Sequence, residues 1–433
     1  MEGKSNRQVP DELKPVVNAP RRTSRHETAP PPKRTAKPRQ ASALRSRAAA
    51  QHRRPHSVWR RIANVMLCIG TLISAGGLIA ACFGGNISPA SCRGLCLMVM
   101  TLPAWLILMT VFTIFDLLWY RRILPVCVLV FIACAAGIWE FMPLNLRRPS
   151  LDKATEYPQF TFLTYNITNF TDLTGKYPGD VNPTVSNILK INADVVNLQE
   201  AVVLAPDKSI RLGQEQIDSL HRAYPYILMY GHSQMLMSKY PAEAIHIGYN
   251  ENRRGEIAAF RLNIEGETVT IFDVHLKSFY LTENDKNLYK DVTGIKDVRK
   301  DITDIKGTIF DVKSQLLSKV QEAAEDRELD ARRLGNLIAH YGGPNVIVAG
   351  DFNDVPGCFT LRYLADFKLK QAYSQLGFGP MITFNRDRFY FRIDHVLYRG
   401  ALMPLRMRRG SSLASDHYPL LVRFALTSTT DNH

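Results

Sequence analysis

Seven polar side chains of this 433-residue chain stand where apolar runs stop. Asn166 closes "FLTYN", Glu200 closes "VVNLQE", His275 closes "TIFDVH" and Asp351 closes "NVIVAGD", with Asn353 and Asp354 directly behind it. Asp394 lies in "FRIDHV", and Asp416 and His417 precede "YPLLV". In a layered α/β domain the carboxyl ends of buried strands open into the crevice where ligands bind. Acid gathered there implies a cation to hold or a proton to move. Mg²⁺ and Mn²⁺ suit such a place, because they take hard oxygen ligands, keep several waters and are held by one or two carboxylates together with phosphate oxygens. Each residue alone has a plainer reading. A Glu after a strand is most often a solvated turn residue, a single His a satisfied structural one, and Asp-Phe-Asn an Asx-turn. The chemistry therefore depends on the strands being neighbours.

From about Gln159 the chain supplies such strands, as short β-type runs separated by turns: "FTFLTYNI", "DVVNLQE", "YPYILMY", "GEIAAFRL", "TVTIFDVHL", "NVIVAGDF", "YFRIDHVLY" and "HYPLLVRFAL". Helical patterns such as "PTVSNILKI" and "CFTLRYLADF" lie between some of them. Strands and helices that do not strictly alternate predict one layered α/β or α+β domain over 159–427, followed by a short tail over 428–433. One stretch departs from this pattern. Ile295, Val298, Ile302, Ile305, Ile309, Val312 and Leu316 recur three and four apart on a charged background. This is an amphipathic helix interrupted at Gly307, with a second over Val320–His340. The stretch at about 281–340 reads as a helical insertion packed on the domain; a partner surface or an active-site lid is the sharper alternative.

Ahead of the domain stand Ile62–Gly84, Gly94–Phe115 and Ile123–Trp139, each free of Lys, Arg, Asp and Glu. A helix needs about 20 such residues to cross the hydrocarbon core, so 62–144 reads as three spans, the third short for the task. A cleaved signal peptide does not fit a first apolar run so far into the chain with two more behind it. Residues 1–61 are rich in Pro, Ala, Arg, Lys and Ser, which cannot bury enough surface to offset chain entropy, so they read as a disordered basic tail. The tail ends in "HRRPHSVWRR"; the first loop carries only Arg93, the second Arg121 and Arg122. This asymmetry predicts a cytoplasmic tail, three crossings and an extracytoplasmic domain, periplasmic in a bacterial inner membrane, joined by a linker over 145–158; Arg147, Arg148 and Lys153 stand against it, and without a third crossing the domain faces the cytoplasm.

Most of the net charge of +14 lies in the tail, where 16 Lys/Arg face 4 Asp/Glu, whereas residues 151–433 hold 33 against 34. The domain lacks the basic footprint of a duplex-DNA binder. Six of the 7 cysteines lie in or beside the apolar segments and Cys358 alone lies in the domain, which excludes a zinc or disulfide framework there.

Taken together and in order, "TYNI", "LQE", "SKYP", "VHLKS", "GDFND", "RIDHV" and "SDHYPL" resemble the endonuclease/exonuclease/phosphatase superfamily over roughly Gln159–Ala425. The resemblance implies a four-layer αββα sandwich of two packed mixed sheets and a divalent-metal-dependent hydrolase of phosphodiesters or phosphomonoesters, using Mg²⁺ or Mn²⁺. By the same resemblance Glu200 is the principal metal ligand, with Asp351, Asn353 and Asp416 completing or water-bridging the metal site, and Asn166 placing metal or phosphate. His417, its ring held by Asp394, faces the scissile phosphate. His275 is a second histidine, a proton donor or phosphate clamp, and Arg254 and Arg392 are phosphate-contact candidates. Asp351 and His417 both remain open as the group that takes the proton of the attacking water. "GFGPMITF" (Gly377 to Phe384) is a loose version of the family's Gly-rich segment, which leaves the substrate open among lipid headgroups, small phosphoesters and nucleic acid. A non-catalytic membrane scaffold is the alternative of another class. Against it stands the number of acidic groups gathered at one crevice.

Overall fold

The computed structural model describes residues 58–146, 156–175, 181–202, 212–248, 255–279, 302–386 and 390–427, with backbone alone over 302–316. The tail before Val58, most of the expected linker, Ile295, Val298, Arg254 and the C-terminal tail lie outside the described residues.

Among the described residues three helices are long and apolar enough to cross a membrane: α1 (Val58–Phe83), α3 (Leu102–Trp119) and α4 (Leu124–Phe141), the last extended by a single 3-10 turn from Arg121. The expected second span is displaced. The chain forms a short helix α2 (Arg93–Met100), breaks at Thr101 and restarts with Pro103 in the first turn of α3, where the missing N–H has no helical partner to lose. The displaced span takes in Asp116, which is buried and accepts a hydrogen bond from the Thr71 hydroxyl of α1 at 2.7 Å. A carboxyl inside an apolar bundle faces its interior and finds a partner there.

The strands form two six-stranded mixed sheets. In the first, β11 (Leu402–Arg409), β12 (Leu420–Leu426), β1 (Gln159–Asn166), β2 (Val195–Gln199), β4 (Gln234–Ser238) and β3 (Tyr226–Tyr230) lie side by side in that order. In the second the order is β5 (Ala242–Ile245), β6 (Glu256–Ile264), β7 (Glu267–His275), β8 (Asn345–Asp351), β10 (Asp394–Arg399) and β9 (Lys370–Gln371). Central strands such as β2 and β8 are buried along their whole length, which explains their continuous apolar runs. Phe162, Phe260, Ile271, Ile347 and Phe424 fill the space between the sheets. Helices α5 (Pro183–Ile191) and α6 (Gln214–Ala223) cover the outer face of the first sheet through Val185, Ile188 and Leu220. Helices α7 (Ile302–Tyr341) and α8 (Phe359–Ala365) cover that of the second through Leu334, Ile338, Leu361 and Leu364. A short helix α9 (Ala372–Leu376) follows β9. The result is the four-layer αββα sandwich.

The two helices expected in the insertion are one. Helix α7 runs unbroken through Gly307, since a single interior glycine costs about 1 kcal/mol and does not end a helix that is packed elsewhere.

The apolar helices and the sandwich pack on each other. Val99 of α2 forms one cluster with Val355 and Ile393. Arg362 of α8 lies 3.0 Å from Glu140 Oε2 and donates to the Cys82 carbonyl at 3.2 Å.

Candidate active site

The parallel register of β7 and β8 pairs His275 with Asp351, and the antiparallel register of β8 and β10 pairs Asp351 with Asp394. One level of the second sheet therefore carries three of the expected residues. Gly350 makes this possible: its φ is +138°, and a Cβ there would meet the Val274 carbonyl at 2.1 Å. Across the gap, Asn166 at the end of β1 donates from Nδ2 to Glu200 Oε1 at 2.9 Å and to Asp351 Oδ2 at 3.1 Å, so one amide joins both sheets. Glu200 (φ +52°) and Asn353 (φ +49°) both hold left-handed backbone, a conformation that clusters at functional sites.

Asp351 Oδ2 is the centre of the arrangement. It lies 3.7 Å from His275 Nε2 and 3.6 Å from His417 Nε2, while Asp351 Oδ1 accepts the Asn353 backbone N–H at 2.8 Å. His275 Nε2 also approaches Glu200 Oε1 at 3.6 Å. His417 Nδ1 is held by Asp394 Oδ2 at 2.9 Å, and the Phe384 ring stands edge-on to the imidazole at 5.0 Å. Asp416 accepts from the Thr168 hydroxyl at 2.6 Å. The Asn353 side-chain amide donates to the Leu276 carbonyl at 3.0 Å.

The model of the Endonuclease/Exonuclease/phosphatase family matches residues 163–417. The chain belongs to this family. Among solved structures it is similar to humanized TDP2 of Danio rerio, at 16% identity and a TM-score of 0.39, covering 61% of this chain and 98% of that one. It is also similar to the endonuclease/exonuclease/phosphatase from Beutenbergia cavernae, at 18% identity and a TM-score of 0.41, covering 63% and 72%. A third, D. rerio TDP2 complexed with single-strand DNA product, shares 16% identity at a TM-score of 0.37 and covers 61% and 98%. No curated protein matches the chain.

Members of the endonuclease/exonuclease/phosphatase family are generally metal-dependent phosphoesterases. The crevice offers hard carboxylate oxygens of the kind a divalent cation takes: Asp351 closes β8, Glu200 follows β2 and is still 30% open to solvent, and Asp416 lies in the loop before β12. The donor atoms of Asp351, Asp394 and His417 lie within 4.8 Å of one another, close enough for an ion. Burial lowers the basicity of His417, but Asp394, Asp351 and Asp416 more than offset it and lift the imidazole to about 10. Asp351 is raised, first by burial and then by Asp394, against the pull of His417 and His275.

Not every expected residue joins the site. Arg392 turns away from it: its guanidinium donates to the Glu140 carbonyl and lies 4.4 Å over the Tyr373 ring, and burial lowers its pKa to about 10. Arg392 is thus a strut between helix α4 and the sandwich, a correction to its expected phosphate contact. Conversely, hydroxyls to which the sequence assigned no role brace the centre. Ser415 donates to the Asn166 carbonyl at 2.8 Å and accepts the His417 backbone N–H at 3.1 Å. Thr383 Oγ1 accepts the backbone N–H groups of Ile393 and Asp394 at 3.0 and 3.1 Å. Beneath the site Asp273 is buried completely and raised well above the carboxylate range by that burial. Its Oδ1 accepts from Asn197 at 2.8 Å and Gln199 at 2.6 Å, tying the strand that ends in Glu200 to the strand that ends in His275.

Proposed function

We propose that the domain hydrolyses a phosphoester by in-line attack of water. A bound Mg²⁺ or Mn²⁺ would supply charge neutralisation on the phosphate oxygens, with Glu200 as principal ligand and Asp416, Asp351 and Asn353 direct or through water. The chain's own groups do the rest. The His417 imidazolium, fixed by Asp394, faces the phosphate and offsets charge that grows on its non-bridging oxygens. Because His417 holds its proton at neutral pH, the base is Asp351, whose raised pKa brings it towards the working range. The water oxygen bonds to phosphorus, its proton passes to Asp351, the bond to the leaving oxygen breaks, and His275 returns a proton to that oxygen. Asn166 and the Asn353 backbone N–H hold the Asp351 carboxyl in place throughout.

The observation that carries this reading is Asp351 Oδ2, set 3.6 and 3.7 Å from two imidazoles and 3.1 Å from the amide that also holds Glu200. Glu200→Gln and Asp351→Asn should each lower hydrolysis of bis(4-nitrophenyl) phosphate by about 10²-fold or more. EDTA should abolish the activity, and Mg²⁺ or Mn²⁺ should restore it. Activity indifferent to both substitutions and to the chelator would defeat the assignment.

The same reading places the domain outside the cytoplasm. The Arg121–Arg122 turn stands at the start of α4 and the sandwich follows its end, so a crossing by α4 would separate them, with the arginine side cytoplasmic.

A further inference from the structure

We propose that this site takes its substrate from the bilayer interface: an amphiphilic phosphoester whose phosphate sits at headgroup level, delivered along the Gly377–Phe384 loop. The inference rests on the phosphoesterase reading above and adds where the substrate comes from. The loop touches the membrane module at one end and the catalytic histidine at the other. At its start, Gly379 N–H donates to the Pro143 carbonyl at 2.7 Å and Asn145 N–H to the Gly377 carbonyl at 3.2 Å, immediately beyond the end of α4. Trp139, in the last turn of α4, donates from its indole to the Ser374 carbonyl at 3.0 Å. At its end, Phe384 bridges to His417 in backbone pairing and stands edge-on to its ring.

The side chains along this path are those of an interface. Phe378 is 64% exposed beside Leu144 and Leu146, themselves exposed where the chain leaves α4. Ile382, Tyr390 and Leu413 are further exposed apolar side chains, on the segments that lead to Phe384, Phe391 and His417. In water this is an apolar patch without a partner; at the foot of a membrane helix its partner is the acyl and headgroup boundary, where aromatic residues gather. The wall of the site is shared with the membrane module as well, since Val99 and Met100 of α2 pack with Phe384 and Phe391. A polyanion has less to offer the domain, which holds 33 Lys/Arg against 34 Asp/Glu.

The test uses the full chain in phosphatidylethanolamine/phosphatidylglycerol nanodiscs and two esters with one leaving group, hexadecyl 4-nitrophenyl phosphate in the disc and ethyl 4-nitrophenyl phosphate in solution. The double variant Phe378→Ser/Ile382→Ser should lose about tenfold or more in kcat/KM on the hexadecyl ester and keep its rate on the ethyl ester. In a parallel arm, p-benzoylphenylalanine in place of Phe378 should crosslink to phospholipid, and in place of Met229, on the edge strand β3, should not. Equal loss on both esters, or no lipid crosslink at Phe378, overturns the interface inference and leaves the hydrolase reading standing. Failure of the wild type on both esters overturns the hydrolase reading, and the substrate class falls with it.

Discussion

His417 is a buried imidazole surrounded by the carboxylates of Asp394, Asp351 and Asp416, so its proton stabilises the folded state. The folded value of about 10 exceeds the ordinary 6.5, which fixes the sign. The contribution is complete below about pH 6.5 and is lost as pH rises through about 10. The melting temperature of the full chain in detergent should therefore fall between those limits, and His417→Gln should flatten the decline. A parallel decline in the variant would show that the imidazole does not carry the excess proton. The residues of this cluster were legible in the sequence because each ends or adjoins a strand, and a buried strand points its terminal polar groups at the crevice. Arg392 was misread for the same reason. It stands two residues from Asp394 but before β10 begins, so strand alternation does not govern its direction. Ser415 and Thr383 stood inside the quoted "SDHYPL" and "GFGPMITF" without a role, and Thr168 left no trace, because a hydroxyl that caps a neighbour's backbone has no periodicity to betray it.

Helix α7 was legible as a helix but not in what it does. Its spacing of apolar residues marked an amphipathic element, whereas its importance lies in one turn of polar ones. Arg327, 2% exposed, donates from Nη1 to the Lys277 carbonyl at 3.0 Å, sits 3.2 Å from Asp354 Oδ2 and covers the Phe279 ring at 4.6 Å. It thereby clasps the segments that follow His275 and Asp351. The neighbouring Glu328 accepts from Ser88 Oγ at 2.6 Å and from Ala90 N–H at 3.2 Å, in the connection between α1 and α2. Asp330 accepts the Gly255 N–H at 3.0 Å at the entry to β6. These partners are far apart in sequence and only the assembled sheets bring them to one turn. Arg327→Met should cost about 3 kcal/mol by leaving Asp354 and the Lys277 carbonyl without their cation. Amide exchange should quicken over residues 276–279 and 352–355 and stay unchanged in β3 and β4. A variant with native exchange rates in both loops would remove the helix from any part in holding the site.

On the scale of the whole molecule, the order of modules could be read from composition, but their docking could not. Apolar residues of α2 looked like the opening of a second span, since Gly94–Phe115 is uninterrupted by charge, and only the break at Thr101 frees Val99 and Met100 to pack on the sandwich. Their partners Val355 and Ile393 each lie within a few residues of Asp351 or Asp394, and Phe384 touches His417 directly. Helix α2 therefore packs against residues that adjoin the site and supports one wall of it. Glu140 strengthens the same junction, 3.0 Å from Arg362 through its carboxylate and bonded to Arg392 through its carbonyl. A chain beginning at residue 156 would expose Val355, Ile393 and Phe384 and leave the buried Arg392 and the half-buried Arg362 without their acceptors in Glu140. Each apolar side chain uncovered forfeits about 1.5–3 kcal/mol when its burial is complete, and these lose part of it. The truncated domain should melt several degrees below the full chain in detergent and hydrolyse ethyl 4-nitrophenyl phosphate more slowly, with the loss in kcat as the Phe384 wall loosens around His417. Val355→Ser/Ile393→Thr in the truncated domain should recover solubility but not kcat, because it removes the exposed patch without restoring the support. Full kcat in the unmodified truncated domain would show that the wall stands by itself and that the N-terminal helices give the site no support.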